Sequence, residues 1–194
     1  MKLNIKHQEQ YSRGELILRT LFGIFYIAIP HGFLLFFVGI WSAILSFATF
    51  WVVLFTERFP KSIFEWQVKF LNWDLRVSAT LIHLVDGYPE FFPRGSSDKV
   101  TLQVPYPQRV RWWLVLIRVL FGEVYVGIPH GVCLFGRLIA TAVLIFIAWW
   151  AVLFTGEYPP RMHAFNAGTF RWLYRVSLYL GYFTDEYPPF SGKE

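Results

Sequence analysis

The sequence predicts an all-α integral membrane protein built from two tandem repeats, and two observations carry this prediction. The chain is 55% hydrophobic and 21% aromatic but only 16% charged, whereas a soluble domain carries about 25% charged residues. In addition, residues 16–91 align with residues 115–190 without a gap, and 30 of the 76 aligned pairs are identical. A repeat without gaps indicates that one structural unit was duplicated, so a description of one copy must also fit the other.

The most apolar part of each copy is long enough to cross a bilayer. Residues 20–55 contain no Asp, Glu, Lys or Arg, and an uncharged run well beyond about 18 residues is typical of a membrane segment. The equivalent part of copy two is interrupted only by Glu123 and Arg137. The polar N-terminus does not have the pattern of a cleaved secretory signal. We therefore expect a multi-pass integral membrane protein.

Each copy is predicted to begin with a short extended segment, because apolar and polar residues alternate at 2–7 and at 100–106. The two segments occupy equivalent positions in the repeat, so pairing between them is possible. Three helices follow in each copy. Repeat 1 covers 1–91, with helices at about 13–28, 32–56 and 61–85. Residues 92–99 form a linker, and repeat 2 covers 100–194, with helices at about 110–127, 131–155 and 161–183.

The first two helices of each copy are interpreted as a membrane hairpin that turns at an Ile-Pro-His-Gly motif. The predicted turn residues are Pro30, His31, Gly32, Pro129, His130 and Gly131. Almost all Lys and Arg lie outside the apolar segments, and a hairpin places them on one side of the membrane, as the positive-inside rule favours. The termini and the linker are therefore expected in the cytoplasm. A single kinked span and a re-entrant hairpin are the alternatives.

Two residues that change together between the copies support the hairpin. Glu123 and Arg137 lie seven residues before and after His130, and the equivalent residues of copy one, Ile24 and Val38, are both apolar. In a hairpin the two charges meet at one depth, whereas in a continuous helix they are about 21 Å apart. Because a lone charge in a bilayer is unfavourable by several kcal/mol, we expect an intramembrane ion pair. Alternatively, Arg137 extends to the interface and Glu123 faces a cavity or a partner.

The third helix of each copy is predicted to be amphipathic and to lie at the membrane surface. In copy one its polar residues recur every three or four positions from Lys61 to His83, which places them on one face. Such a helix lies in the headgroup layer. The residues expected in its aromatic belt are Trp66, Trp73, Trp172 and Tyr174. An ordinary amphipathic helix on a soluble core is the alternative.

Few residues suggest chemistry, and no catalytic residue, metal site or cofactor is predicted. His31 and His130 are equivalent and are candidates for axial ligation of a haem or metal, although a structural turn explains them better. Arg19 and Arg118 recur on the first helix and are candidates for binding lipid phosphates, with extension to the interface as the alternative. The single cysteine, Cys133, excludes an intrachain disulfide. The net charge of +5 fits an anionic membrane surface better than nucleic acid.

Four motifs of copy two follow one another in a recognisable order. They are Ile-Pro-His, VLFTGEYPP at 152–160, WLYRV at 172–176 and TDEYPPF at 184–190. In these motifs the chain resembles an uncharacterised family of bacterial membrane proteins, domain of unknown function 4389. Copy one is similar but departs at Glu57, Phe59, Gly87 and Glu90, so its turn after the second helix is expected to differ. The resemblance implies the class of protein and supplies no activity.

These observations favour a non-enzymatic accessory or scaffolding subunit of a bacterial membrane protein complex. Such a subunit packs through its aromatic surfaces against lipid and against a larger complex or itself. The alternative is a small transporter or channel that uses Glu123 and Arg137 between the repeats. An enzyme or haem carrier is the third hypothesis.

Overall fold

The structure is a computed structural model that describes residues 1–93 and 95–193. It is predominantly helical, with one two-stranded sheet formed by β1 (Lys2–Ile5) and β2 (Val100–Gln103). The helices of the first half are α1 (Arg13–Gly23), α2 (Ile29–Thr56) and α3 (Lys61–Leu81), and the π-helical segment Ile24–Ala28 joins α1 to α2. The helices of the second half are α4 (Trp112–Gly122), α5 (Ile128–Thr155) and α6 (Pro160–Leu180), and the π-helical segment Glu123–Gly127 joins α4 to α5.

The two halves of the structure repeat as the sequence does. In each half the three α-helices have 11, 28 and 21 residues, and a π-helical segment of five residues lies at the same place. Strands β1 and β2 pair in antiparallel orientation, with Leu3 opposite Leu102. The pairing of the two extended segments is therefore confirmed, over shorter ranges than predicted.

The predicted hairpin turns are not formed. The helical backbone is continuous from Arg13 to Thr56 and from Trp112 to Thr155, which makes two helices of 44 residues. Proline lacks an N–H and normally breaks a helix interior. Here the π-helical turn before the proline accommodates it without ending the helix. There the N–H of Ile29 donates to the carbonyl of Ile24, and Pro30 becomes the second residue of α2. The hairpin prediction is wrong, and all six predicted turn residues are helical: Pro30, His31, Gly32, Pro129, His130 and Gly131.

The predicted ion pair between Glu123 and Arg137 is also wrong, because it depended on the hairpin. Along a continuous helix the two residues are about 21 Å apart. Arg137 donates to α6 instead, from Nε to Thr169 Oγ1 at 2.9 Å and from Nη2 to the carbonyl of Phe165 at 3.0 Å. Glu123 is exposed, and its carboxylate lies over Gly127 of its own helix.

The third helix of each half packs inward. Helix α3 lies against α2 and β2, and α6 lies against α5. Trp73 and Trp172, which were expected in an aromatic belt at the membrane surface, are only 1% and 5% exposed. Both helices end a few residues earlier than predicted, and His83 and Tyr182 follow them with φ angles of 63° and 69°. A residue in this left-handed conformation cannot continue a right-handed helix.

Each half of the chain completes the core of the other. Beside the end of α5, the N–H of Tyr11 donates to the carbonyl of Gly156 at 2.8 Å. Beside the end of α2, the N–H of Val110 donates to the carbonyl of Glu57 at 2.9 Å. Between these two contacts, the sheet buries four apolar side chains, namely Leu3, Ile5, Val100 and Leu102. The two repeats therefore share one core.

The turn after the second helix has the same backbone conformation in both copies, although the sequence predicted a difference. Gly156 has a φ of 79°, and Glu57 at the equivalent position has a φ of 54°. Glycine adopts positive φ freely, whereas a residue with a side chain is strained there. The side chain of Glu57 accepts a hydrogen bond from Arg109 Nε at 2.6 Å. This contact between the two halves helps to hold Glu57 in the strained conformation.

His163 lies between the two halves and makes the stability of the protein depend on pH. Its side chain is buried, and Nε2 lies 3.2 Å from the carbonyl oxygen of Leu84. Burial lowers the pKa of His163 from 6.5 to about 4, so the ring is neutral at pH 7 in the folded protein. Between these two values the unfolded chain binds a proton that the folded chain does not. Stability is therefore lost as the pH falls from about 6.5 to about 4.

We expect His163→Phe to reduce this loss, because Phe64 occupies the equivalent position in copy one. The thermal midpoint, followed by circular dichroism in detergent, should fall less between pH 7 and pH 5 in the variant than in the wild type. Burial also lowers the pKa of His83 to about 4. His83 is present in both proteins, so the difference between them reports on His163. An equal fall in both proteins would contradict this assignment.

Candidate functional site

Aromatic and polar residues that are identical in the two copies converge into two equivalent clusters, which we call the histidine clusters. Cluster 1 consists of Tyr26, His31, Trp73, Tyr88 and Phe91. Cluster 2 consists of Tyr125, His130, Trp172, Tyr187 and Phe190. In each cluster the long helix contributes the first two residues and the third helix contributes the tryptophan. The last two come from the segment after the third helix, 82–91 or 181–190, which we call the closing segment.

A buried histidine lies at the centre of each cluster. The indole N–H of Trp73 donates to His31 Nδ1 at 3.0 Å, and the ring of Phe91 stacks on the imidazole at a centroid distance of 4.0 Å. The equivalent distances around His130 are 2.9 Å and 3.9 Å. Because an indole N–H can only donate, Nδ1 is the acceptor, and a neutral ring carries its proton on Nε2.

The other ring nitrogen, Nε2, is enclosed in both histidines. It has no hydrogen-bond partner among the described residues, and His31 and His130 are both 0% exposed. An iron or metal ion would reach Nε2 only after the surrounding rings had moved. Within residues 1–93 and 95–193, no group of three or more His, Cys, Asp or Glu side chains is placed to hold a metal ion. The contacts of the two histidines are those of a packing centre that fixes the third helix to the long helix.

The tyrosine of the closing segment compensates for the missing N–H of proline. In a regular helix, residue 30 would donate to the carbonyl of Tyr26, four residues earlier, but Pro30 has no N–H. The hydroxyl of Tyr88 donates to that carbonyl at 3.2 Å. In copy two the hydroxyl of Tyr187 donates to the carbonyl of Tyr125 at 3.0 Å. The repeated proline and the repeated tyrosine therefore belong to one interaction.

Replacing Tyr88 or Tyr187 with phenylalanine is expected to lower the free energy of unfolding by about 1 kcal/mol each, because a carbonyl loses its hydrogen bond. The free energy would be measured by denaturant titration in detergent micelles. Tyr182→Phe is the matched control, because the Tyr182 hydroxyl makes no side-chain hydrogen bond to a described residue. A control that destabilises as much as the two test variants would show that the hydroxyl contacts contribute nothing specific.

A buried ion pair lies near each cluster. Arg19 pairs with Asp86, and Arg118 Nη2 lies 2.9 Å from Asp185 Oδ1. The two arginines are 6% and 4% exposed. Arg19 also donates from Nη1 to the carbonyl of Thr80 at 3.2 Å. The prediction that Arg19 and Arg118 bind lipid phosphates is wrong, because protein carboxylates already neutralise them in a buried environment.

The sequence identified the histidine of each cluster but not its partners. The missed residues of the closing segments are Tyr88, Phe91, Tyr187 and Phe190 in the clusters, and Asp86 and Asp185 in the ion pairs beside them. All six keep their identity at the repeat offset, as do the histidines and tryptophans. Identity at polar and aromatic positions, combined with the gap-free alignment, was the available indication that these residues meet.

Comparison with known proteins finds a family match for one of the two copies. Residues 112–192 match the model of a family described as "Domain of unknown function (DUF4389)". This range contains helices α4 to α6 and all of cluster 2, so the resemblance seen in the motifs of copy two is supported. No curated protein and no solved structure matches the chain.

Proposed function

We propose that this chain is an integral protein of the bacterial inner membrane and a non-enzymatic accessory or scaffolding subunit. The distribution of apolar surface carries the proposal. Among the described residues, 35 of the 40 exposed large hydrophobic side chains lie on the two long helices. Each of these helices is long and apolar enough to cross a membrane. Soluble monomers rarely expose apolar patches above a few hundred Å². Lipid or another membrane protein therefore covers these faces.

The length of the two helices restricts how they lie in a bilayer. A helix of 44 residues is about 66 Å long, about twice the thickness of the hydrocarbon core. Such a helix does not fit upright along its whole length, so we expect it to be strongly tilted or to continue in the headgroup layer. Copy one has the same helices and the same histidine cluster as the matched copy, which supports two tandem copies of the family.

The use of the repeated polar groups supports a scaffolding role. In both copies the arginine bonds to the aspartate, the tryptophan to the histidine and the tyrosine to a helix carbonyl. These groups hold the three helices of a copy together, so their hydrogen bonds and charges are used within the copy. The surface that remains is apolar and aromatic, and it suits packing against a larger membrane protein or a second copy of this chain.

The single cysteine tests the membrane location. Cys133 is exposed on α5, so we expect a water-soluble maleimide to leave it unlabelled in nanodiscs of phosphatidylcholine and to label it in the denatured protein. The control is Cys133→Ser combined with Ser96→Cys, because Ser96 is exposed outside the helices. Equal labelling rates for Cys133 and the control in nanodiscs would exclude the membrane location.

Purification from native membranes tests the accessory role. After mild cross-linking and solubilisation, mass spectrometry is expected to find the chain in a fixed ratio with a larger membrane protein or with a second copy of itself. The refuting result is a chain that is recovered only as a monomer, although a known complex in the same membrane is cross-linked.

A further inference from the structure

One groove of the second half is strongly basic. It lies between α5, α6, the end of β1 and the C-terminal segment (190–193), and it has a volume of about 730 Å³. Four cationic side chains line it, namely Arg137, Arg161, Arg171 and Lys193. None of the lining residues that the structure describes is Asp or Glu. His163 also lines it, and burial lowers the pKa of His163 to about 4, so the histidine adds no charge at pH 7.

Arg137 brings a charge to this groove from an otherwise apolar helix. Its guanidinium is held by Thr169 and by the carbonyl of Phe165, and it lies 4.2 Å above the ring of Phe165. These contacts fix the position of the guanidinium but carry no negative charge. Within residues 1–93 and 95–193, no carboxylate lies within 4.0 Å of Arg137, Arg161 or Lys193 in an ion pair. Three of the four cations of the groove, Arg137, Arg161 and Lys193, are therefore without an ion-pair partner among the described residues.

The C-terminal segment forms one wall of the groove. Arg171 Nη1 donates to the carbonyl of Gly192 at 2.7 Å, and Arg175 Nη1 donates to the carbonyl of Ser191 at 3.2 Å. A Cβ atom at Gly168 would lie 2.8 Å from the oxygen of Gly192 and 2.9 Å from Arg137 Nη2. The glycine is thus required for the close approach that assembles the groove.

Copy one shows that the fold does not require these charges. At the positions equivalent to Arg137, Arg161 and Arg171, copy one has Val38, Ser62 and Asn72. It also has an acid, Glu65, where copy two has Ala164 at the edge of the groove. Both copies nevertheless have the same helices. The helices of a copy therefore form without these three arginines.

We propose that this groove binds the phosphate group of an anionic phospholipid. Guanidinium groups bind phosphate oxygens through charge-assisted, often bidentate hydrogen bonds, and basic pockets between membrane helices bind anionic headgroups. Leu138, next to Arg137, is exposed on α5 together with Phe135, so an apolar surface for the acyl chains adjoins the charges. The choice of a lipid over free phosphate rests on the membrane location proposed above.

The test compares lipid binding by the full chain, by two groove variants and by a control variant. Purified protein in neutral detergent is titrated with phosphatidylglycerol, phosphatidylcholine or inorganic phosphate, and binding is followed by native mass spectrometry and by thermal shift. Arg161→Gln with Lys193→Gln removes the two exposed cations of the groove. Arg58→Gln with Lys61→Gln removes two exposed cations of the first half and serves as the control. Arg137→Val, which introduces the residue of copy one, is a second groove variant.

We expect phosphatidylglycerol to bind about tenfold more tightly than phosphatidylcholine. Both groove variants should lose this preference, whereas the control should keep it. Equal preference in the groove variants and the wild type would overturn the proposal. If inorganic phosphate binds in the groove and displaces the lipid, the proposal that the bound phosphate group belongs to a phospholipid would be overturned. Labelling of Cys133 in nanodiscs is independent of the groove variants, so a failure of the membrane location is distinguishable from a failure of the site.

Discussion

Replacing Asp185 with alanine is expected to lower the free energy of unfolding by about 3–5 kcal/mol, because one partner of a buried ion pair is lost. The side chain of Arg118 is 1% exposed, and its Nε and Nη1 atoms have no hydrogen-bond partner among the described residues. Without Asp185, the guanidinium would remain buried with its charge uncompensated. Denaturant titration in detergent micelles, followed by circular dichroism, measures the effect.

The equivalent variant of copy one is the matched control. Asp86→Ala should be less destabilising, because Arg19 keeps the carbonyls of Thr80 and Val85 as acceptors. Adding Arg118→Met to Asp185→Ala should recover part of the loss, since the unpaired charge is then removed as well. If the double variant loses as much free energy of unfolding as its two single variants together, burial of an unpaired charge is not the cause of the instability of Asp185→Ala.

Replacing Trp73 with alanine is expected to destabilise by a similar amount, about 3–5 kcal/mol, which is the range for truncating a large buried aromatic residue. Trp73 is 1% exposed and belongs to a buried cluster with Ile27 and Val77. Its indole also supplies the hydrogen bond to His31. The substitution therefore leaves a cavity and an unsatisfied imidazole at the contact between α3 and the long helix.

Two controls separate the contributions of Trp73. Trp51→Ala removes a tryptophan that is 46% exposed on α2, and in detergent it should be destabilising by less than about 1 kcal/mol. Trp73→Phe keeps most of the apolar volume and removes the donor, so its effect should lie between those of the two alanine variants. A Trp73→Ala protein as stable as Trp51→Ala would show that the histidine cluster does not stabilise the fold.

Much of the secondary structure was predictable from local patterns. The third helix of each copy begins within one residue of its predicted start, because proline marks that position in both copies. The alternating residues and equivalent positions of the two extended segments left their pairing open as a possibility, and the structure shows that they pair. These features depend on residues close in sequence, which a single sequence shows directly.

The predictions that failed depended on an assumed path of the chain through the membrane. The charge distribution favoured a hairpin, and the residues around His130 were then paired across it. A proline in a helix does not require a turn when a π-helical segment precedes it and another side chain takes the free carbonyl, as Tyr88 does. That side chain lies about 60 residues away, so no local pattern reveals the compensation.

The exchange of contacts between the halves has a consequence for any chain that contains one copy alone. Such a chain would present a single strand without its neighbour and a long helix without the cap that the other copy supplies. Two identical chains related by twofold rotation would satisfy both needs, since antiparallel pairing of equivalent strands is what such an axis generates. The duplicated protein then corresponds to a fused homodimer. A chain with one copy alone is therefore expected to be an obligate dimer, and copy two without copy one would lack half of its core.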